Sequence, residues 1–143
     1  MTFDAELKRR FPSLHTLYVD ADDPADALAR MQQIADSTDV TIVGSYVGQS
    51  WDATTVEAPP SVAAALTHLV ERHARFILVA FGNPYLLQQV PGAPAYVVAW
   101  GGFPVSQRAA ARAVLGAIPV TGKLPISIPP YAAFGAGIAL ASQ

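Results

Sequence analysis

The 143-residue chain contains no cysteine, which excludes a disulfide scaffold and a thiolate metal site and leaves the cellular compartment open. Charge is also scarce, since 14% of the residues are charged and 52% are apolar, whereas about a quarter charged is usual. A soluble domain normally covers itself with charged side chains. We therefore expect this chain to bury part of its outer surface against another surface.

Acidic residues are missing from the second half of the chain. All eleven carboxylates lie at or before Glu71, which gives residues 1–71 a net charge of −7 and residues 72–143 a net charge of +5. Five cations scattered over half a domain do not form the dense basic patch that nucleic acids require. The sequence therefore predicts no nucleic-acid partner.

Long apolar runs are absent as well. No run reaches the roughly 18–20 residues of a membrane-spanning helix, so no membrane span is expected. The N-terminal sequence MTFDAELKRRF does not have the pattern of a signal peptide. A periplasmic or secreted location and a cytoplasmic location both remain compatible with the sequence.

What the chain does contain is a regular alternation of strand and helix patterns. The unbroken apolar runs at 76–81 and 96–100 are typical of strands covered on both faces. Ser106 is the predicted cap of a helix that stops at Gly116. The further predicted strands are 14–19, 40–47 and 125–129, and the further helices are 22–37, 61–74 and a short turn at 84–90. This order predicts one domain over 1–143, an open three-layer α/β/α sandwich with a mostly parallel sheet of about five to six strands.

Ligands of parallel sheets gather at the carboxyl ends of the strands. In this chain those ends lead into the loops 45–57, 82–85 and 100–103. Aromatic side chains there could stack on a sugar or fill a domain interface. The candidate contact residues are Trp51, Asn83, Tyr85, Trp100 and Phe103. Asp52 and Glu57 lie in the first loop and are weak catalytic candidates, since both could simply be solvated.

Three motifs resemble metal, nucleophile or dinucleotide sites but do not have the spacing that those sites require. His68 and His73 lie five residues apart, about 140° around a helix, so they do not form a metal pair. The stretch GSYVG places Ser45 one position too early for a nucleophile elbow. Gly135-Ala-Gly137 lacks the third glycine and the following helix of a dinucleotide site. The sequence therefore predicts neither a metal site nor a cofactor.

Four stretches, in order, carry a family resemblance: ADSTDVTIVGSYV, FILVAFGNPYLLQQVPGAPAYVVAW, SQRAAARAVLGAIPVTGKLPISIP and YAAFGAGI. The third is the most specific, with a helix ending in Leu-Gly, followed by Pro-x-x-Gly-Lys-Leu-Pro. Over residues 3–140 the chain resembles the C-terminal α/β sandwich domain of glycoside hydrolase family 3. Its FGNPY loop and Ala-Trp-Gly strand end look closest to bacterial members of the β-N-acetylhexosaminidase type.

The resemblance implies where catalysis resides. Family members carry the nucleophilic aspartate on an N-terminal (β/α)₈ barrel, which 143 residues cannot hold. In the β-glucosidase branch the sandwich supplies an acid/base glutamate from the loop after the strand at 40–47. Here that loop reads GQSWDATTVE, and neither Asp52 nor Glu57 matches the motif. In the hexosaminidase branch the acid/base lies on the barrel, so the resemblance favours that branch.

The sequence therefore predicts a non-catalytic C-terminal domain of a retaining β-N-acetylhexosaminidase-type hydrolase, inactive as this chain alone. Its implied partner is the barrel. If the domain also forms one wall of the substrate cleft, the carbohydrate substrate is a second partner. Two alternatives stay open. One is a stand-alone carbohydrate-binding module with the strand-end aromatic residues as its platform. The other is a structural domain that forms a homodimer through the apolar face a barrel would otherwise cover.

Overall fold

Helices and strands alternate along the chain in the computed structural model, which describes residues 1–20, 25–47 and 57–143 and the backbone alone at 25–27. In the described part the elements are α1 (Thr2–Arg10), α2 (Ala25–Asp36), β1 (Thr41–Ser45), α3 (Pro60–Glu71), β2 (Phe76–Ala80), α4 (Leu86–Gln89), β3 (Ala95–Val98) and α5 (Pro104–Val114). None of the helices in these ranges is long and apolar enough to cross a membrane.

Within the described residues the sheet has three parallel strands, in the order β1-β2-β3. Val79 at the centre of the sheet is paired with Gly44 on one side and Val97 on the other. Because β2 is the middle strand, four of its five residues are buried. This position explains the unbroken apolar run in its sequence, since both of its faces must be covered.

Successive side chains of β2 point to opposite faces and enter two separate cores. Leu78 joins one core with residues of α2, α3 and α4, among them Leu69 and Leu86. Val79 joins the other with Phe3 of α1 and Ala111 of α5. Burying one such leucine or phenylalanine contributes roughly 1.5–3 kcal/mol. Helices thus cover both faces of the sheet, which confirms the predicted three-layer sandwich.

The number of strands differs from the prediction, because two predicted strands do not join the sheet. Residues 14–19 form no ladder, and Leu17 and Tyr18 are 39% and 55% exposed. Residues 125–129 hold prolines at both ends, which cannot donate to a ladder. There Ile128 pairs instead with Ala132, four residues later, with N···O distances of 2.7 and 2.9 Å.

Two helix starts also differ from the sequence analysis. Residues 2–10 form α1, which the strand and helix patterns did not predict. Helix α5 begins at Pro104 with Phe103 as its N-terminal cap, so the prediction of Ser106 as the cap is wrong. Proline is favoured at the first helical position because its missing N–H has no partner there in any case. Gly116 does follow the helix with φ +70°, as predicted.

The last 26 residues, 118–143, form an irregular two-armed segment that we call the C-terminal ribbon. Val120 and Leu140 exchange backbone hydrogen bonds of 2.9 Å, and Leu124 exchanges bonds of 2.8 Å with residues 135 and 136. The Lys123 ammonium donates to the Gly137 carbonyl at 2.7 Å. Ile128 at the tip of the ribbon is fully buried, and the Gln88 side chain of α4 donates to the neighbouring Pro129 carbonyl at 2.7 Å.

Candidate functional site at the carboxyl edge of the sheet

The three strands end at one edge of the sheet, and backbone hydrogen bonds extend past the last ladder pairs. The N–H of Phe81 donates to Ser45 O at 2.8 Å, and that of Asn83 donates to Val47 O at 3.0 Å. On the other side, the N–H of Ala99 donates to Ala80 O at 2.9 Å. These bonds join the first described residues after β1 to those after β2, and β2 to the first residue after β3.

Helix α1 also begins at this edge. The Phe3 ring meets the Phe81 ring edge-on, with 5.1 Å between centroids. The buried Gln107 of α5 accepts a hydrogen bond from the Phe3 N–H at 3.0 Å and donates to the Gly102 carbonyl at 2.7 Å. Gln107 therefore joins α1, α5 and the loop after β3. The sequence gives no sign of this role, since both partners are backbone groups.

Tyr46, the first residue after β1, lies between two of the loops. Its ring stacks on Phe81 with 4.6 Å between centroids and 12° between planes. A methyl group on Gly102 would come within 3.2 Å of the Tyr46 ring, so the two residues are in close contact. Burial raises the pKa of the Tyr46 phenol to about 12, and the nearby Asp4 adds to the shift. Tyr46 is therefore a neutral hydroxyl at physiological pH.

Asp4, in the first turn of α1, supplies a carboxylate near Tyr46. The Tyr18 hydroxyl donates to its Oδ2, and the Met1 amino group lies 3.0 Å from the same oxygen. Partial burial would raise the pKa of the Asp4 carboxyl, but these hydrogen bonds outweigh it and hold the pKa below its usual value. The same bond, followed by burial, raises the pKa of Tyr18. Asp4 is therefore ionised and Tyr18 neutral near pH 7.

Trp100, two residues after β3, has an unusual backbone. Its φ is +62°, and the Gly101 N–H donates to Ala99 O at 2.8 Å, which closes a three-residue turn around it. A bulky side chain with this φ is an outlier and costs about 1–3 kcal/mol. The indole is 49% exposed, and Phe103 on the same loop is 75% exposed.

The structure brings three of the predicted contact residues, Tyr85, Trp100 and Phe103, to this edge, each with more than a third of its surface exposed. Asn83 Oδ1 accepts a hydrogen bond from the Tyr85 N–H at 2.9 Å, so the Asn83 side chain bonds its own turn. Glu57 is exposed. Trp51 and Asp52 lie outside the described residues. The prediction that the chain has no catalytic residue, with Asp52 and Glu57 as weak candidates only, stays a prediction.

A metal site would require a group of ligating side chains that lie close together. Within 1–20, 25–47 and 57–143 there is no group of three or more histidines, aspartates or glutamates that could hold an ion. His73 follows the end of α3 with φ +54°. Among the described residues, this edge offers the Tyr18 and Tyr46 hydroxyls, the Asp4 carboxylate and several exposed rings.

The three parallel strands covered by helices on both faces define an α/β sandwich domain. The model of the glycosyl hydrolase family 3 C-terminal domain matches residues 2–136, and the chain belongs to that family. This confirms the family that the sequence motifs indicated.

Curated relatives carry the domain as a small part of a longer protein. A probable beta-glucosidase K of Emericella nidulans is 30% identical over 118 residues, which cover 78% of this chain and 14% of the relative. Probable beta-glucosidases K of two Aspergillus fumigatus strains are 28% identical over 114 residues, 75% of this chain and 15% of theirs. No solved structure matches significantly. These relatives are named beta-glucosidases, so the finer prediction of a bacterial β-N-acetylhexosaminidase type draws no support from them.

Proposed function

We propose that this chain is the non-catalytic C-terminal domain of a retaining family 3 glycoside hydrolase and that it packs on the (β/α)₈ catalytic barrel. The observation that carries the proposal is the exposure of Phe103 and Val105, which are 75% and 71% exposed at the start of α5. An apolar pair of this kind, beside the strand ends, is typical of a surface that another domain covers. The curated relatives extend far beyond the matched region, which leaves room for a barrel in the complete enzyme.

Two substrate classes compete for the complete enzyme. The loop sequence GQSWDATTVE lacks the acid/base glutamate motif of the β-glucosidase branch, which supports a β-N-acetylglucosaminide as the substrate. The names of the relatives favour a β-glucoside instead. In either case the proposal places the nucleophile on the barrel, and leaves Asp52 and Glu57 without a catalytic role.

Hydrolysis by the chain alone tests the non-catalytic part of the proposal. We expect the 143-residue chain to release no product from chromogenic β-N-acetylglucosaminides or β-glucosides. Asp52→Asn and Glu57→Gln variants, assayed at the same concentration, serve as controls for contaminating hydrolases. Turnover that either substitution abolishes would contradict the proposal, because it would place an essential carboxylate on this chain.

Association tests the packing part. We expect calorimetry to show that the chain binds a family 3 barrel expressed without its own C-terminal domain. Phe103→Asp should weaken that binding at least about 10-fold, because the substitution would bury an unpaired charge in the interface. Phe134→Asp on the C-terminal ribbon is the matched control, because Phe134 is 73% exposed but lies elsewhere in the chain. Equal loss in both variants would argue against packing through Phe103. A homodimer in sedimentation that Phe103→Asp dissociates would favour the structural alternative.

A further inference from the structure

Three arginines surround the buried Glu6 carboxylate where α1 and α5 meet. Arg112 Nε of α5 donates to Glu6 Oε1 at 2.9 Å, and Arg9 Nη1 of α1 lies 3.2 Å from Glu6 Oε2. The hydrogen bond from Arg112 is the largest cause that lowers the pKa of the Glu6 carboxyl. The charges of Arg9 and Arg108 lower that pKa further, so Arg108 also lies close enough to act on this carboxylate. We call Arg9, Arg108 and Arg112 the arginine cluster.

The arginine cluster has more positive charge than Glu6 neutralises. Three guanidinium groups and one carboxylate leave a net charge of +2. The Arg9 and Arg112 side chains are 74% and 47% exposed, and Arg108, which is also exposed, pairs with no carboxylate among the described residues. Each guanidinium carries five N–H donors, so most of the donors of the cluster remain available to a partner.

One face of α5 joins the arginine cluster to the exposed apolar pair at the start of the helix. The exposed residues of α5 at the spacing of one helix face are Val105, Arg108, Ala109 and Arg112. Phe103 caps the same helix and is 75% exposed. Apolar and cationic groups thus form one continuous surface along α5, which Arg9 extends onto α1.

We propose that this surface docks on an acidic face of a partner protein domain, with the arginine cluster bound to carboxylates and Val105 packed beside them. The planar guanidinium fits a carboxylate through two parallel hydrogen bonds. Glu6 already orients Arg9 and Arg112, so less side-chain freedom is lost on binding. The inference rests on the proposed function, in which the partner is the barrel, and extends it by giving the sign of the charge on the barrel face.

The residue types of this surface favour a protein over other anionic partners. Interfaces between proteins are enriched in arginine and aromatic residues and depleted in lysine. The cations of the cluster are all arginines, and the exposed Phe103 ring belongs to the same helix end. Nucleic acids and anionic membranes attract lysine and arginine alike, mainly through charge.

Arg108 is the residue to replace, because its loss breaks no ion pair among the described residues. Arg108→Glu should weaken calorimetric binding of the separately expressed barrel at least about 10-fold at low salt, since an attraction becomes a repulsion. Arg108→Lys keeps the charge but not the planar fork, so its affinity should lie between those of the parent and Arg108→Glu. High salt should remove most of these differences, because it screens exposed charges.

Arg30→Glu is the matched control. Arg30 is also exposed on a helix, but α2 packs on the opposite face of the sheet. The substitution makes the same change in net charge and should alter barrel binding by less than about 2-fold, because surface charges far from the interface are screened. Both charge-reversal variants should keep the unfolding temperature of the parent, since exposed substitutions change stability little. Equal effects of the two substitutions on binding would overturn the inference.

A peptide probe separates this inference from the packing proposal. Fluorescence anisotropy should show that a fluorescein-labelled Glu-Glu-Phe-Glu-Glu peptide binds the parent chain in the millimolar range and binds Arg108→Glu at least about 5-fold more weakly. Barrel binding that Arg108→Glu leaves unchanged would remove this inference alone. Peptide binding without barrel binding would remove only the packing proposal. Failure of both probes, or Arg108-dependent binding of phosphatidylserine vesicles or oligothymidine instead of them, would overturn the inference.

Discussion

His73 closes α3 with its backbone in the left-handed region, at φ +54°. Its N–H donates to Val70 O at 2.9 Å, and the N–H of Ala74 donates to Leu69 O at 3.0 Å. These two bonds form a Schellman motif, in which the residue at this position is most often glycine. Histidine therefore occupies a site that its own side chain disfavours.

Replacing this residue by glycine is expected to stabilise the domain. His73→Gly should raise the free energy of unfolding by about 1 kcal/mol, because the left-handed conformation costs an L-residue about that much and glycine adopts it freely. Urea denaturation followed by circular dichroism measures the change. His68→Gly, inside α3, is the control and should lower stability by about 1 kcal/mol. A loss of stability in both variants would contradict this prediction, because it would show that the left-handed backbone at His73 does not reduce the stability of the domain.

At the scale of elements, one ion pair joins the two helices on the α1 side of the sheet. The Glu6 carboxylate of α1 lies 2.9 Å from Arg112 of α5 and 3.2 Å from Arg9. The hydrogen bond from Arg112 is the main reason why the pKa of Glu6 lies below its usual value of 4.5. Glu6 itself is buried, so this pair links the first helix of the chain to the last.

The pair makes stability depend on pH in a definite direction. The pKa of Glu6 is lower in the folded state than in the unfolded state. The contribution of the ionised carboxylate to the free energy of unfolding is therefore complete above the unfolded-state pKa, and it is lost as the pH falls through the folded-state pKa. Glu6→Gln should therefore lower the urea midpoint at pH 7, and the difference from the parent chain should shrink below about pH 4.5. The exposed Glu71 gives the control, since Glu71→Gln should have no such effect. A difference that stays constant with pH would contradict this role.

The elements that the sequence predicted well are those whose own residues determine them. The apolar run at 76–81 identified β2, and Gly116 marked the end of α5. Helix α1 was missed because only Phe3, Leu7 and one alanine interrupt its polar sequence, and its burial depends on α5. The predicted strand at 125–129 failed because its prolines favour the turn at Ile128 over a ladder.

The candidate site divides in the same way. Tyr85, Trp100 and Phe103 lie at the end of a predicted strand or within four residues after one, so the position of each strand end located them. Asp4, Tyr46 and Gln107 could not be found, because each acquires its role from residues that are distant in sequence. The Phe3–Gln107 bond spans 104 residues and the Tyr18–Asp4 bond spans 14.

At the scale of the whole molecule, the shortage of charge appears as an apolar surface on the C-terminal ribbon. Phe134 and Ile138 are 73% and 77% exposed, and Lys123 is the one charged residue in 118–143. Such surfaces promote self-association when nothing covers them. The composition thus predicted exposed apolar surface, and in the structure part of that surface lies on the C-terminal ribbon.

Polar substitutions on the ribbon should improve solution behaviour without altering stability. Phe134→Ser combined with Ile138→Ser should reduce light scattering at high protein concentration and leave the unfolding temperature within about 2 °C of the parent, because exposed substitutions change stability little. Ile128→Ser is the contrasting variant. Ile128 is fully buried, so this change should cost about 3–5 kcal/mol. A large drop in unfolding temperature for the double variant would mean that the ribbon side chains are buried in solution.

The bonds between α1 and α5 also set the order in which the chain can fold during its synthesis. Phe3 contacts Gln107, and Glu6 contacts Arg112, so α1 has no helix to pack against until α5 has been made. Ribosomes add about 5–20 residues per second, so the face of α1 that packs on α5 lacks its partner for roughly 5–20 s. The first helix of the domain is therefore among the last to dock, and a nascent chain stalled before α5 is a natural target for chaperones.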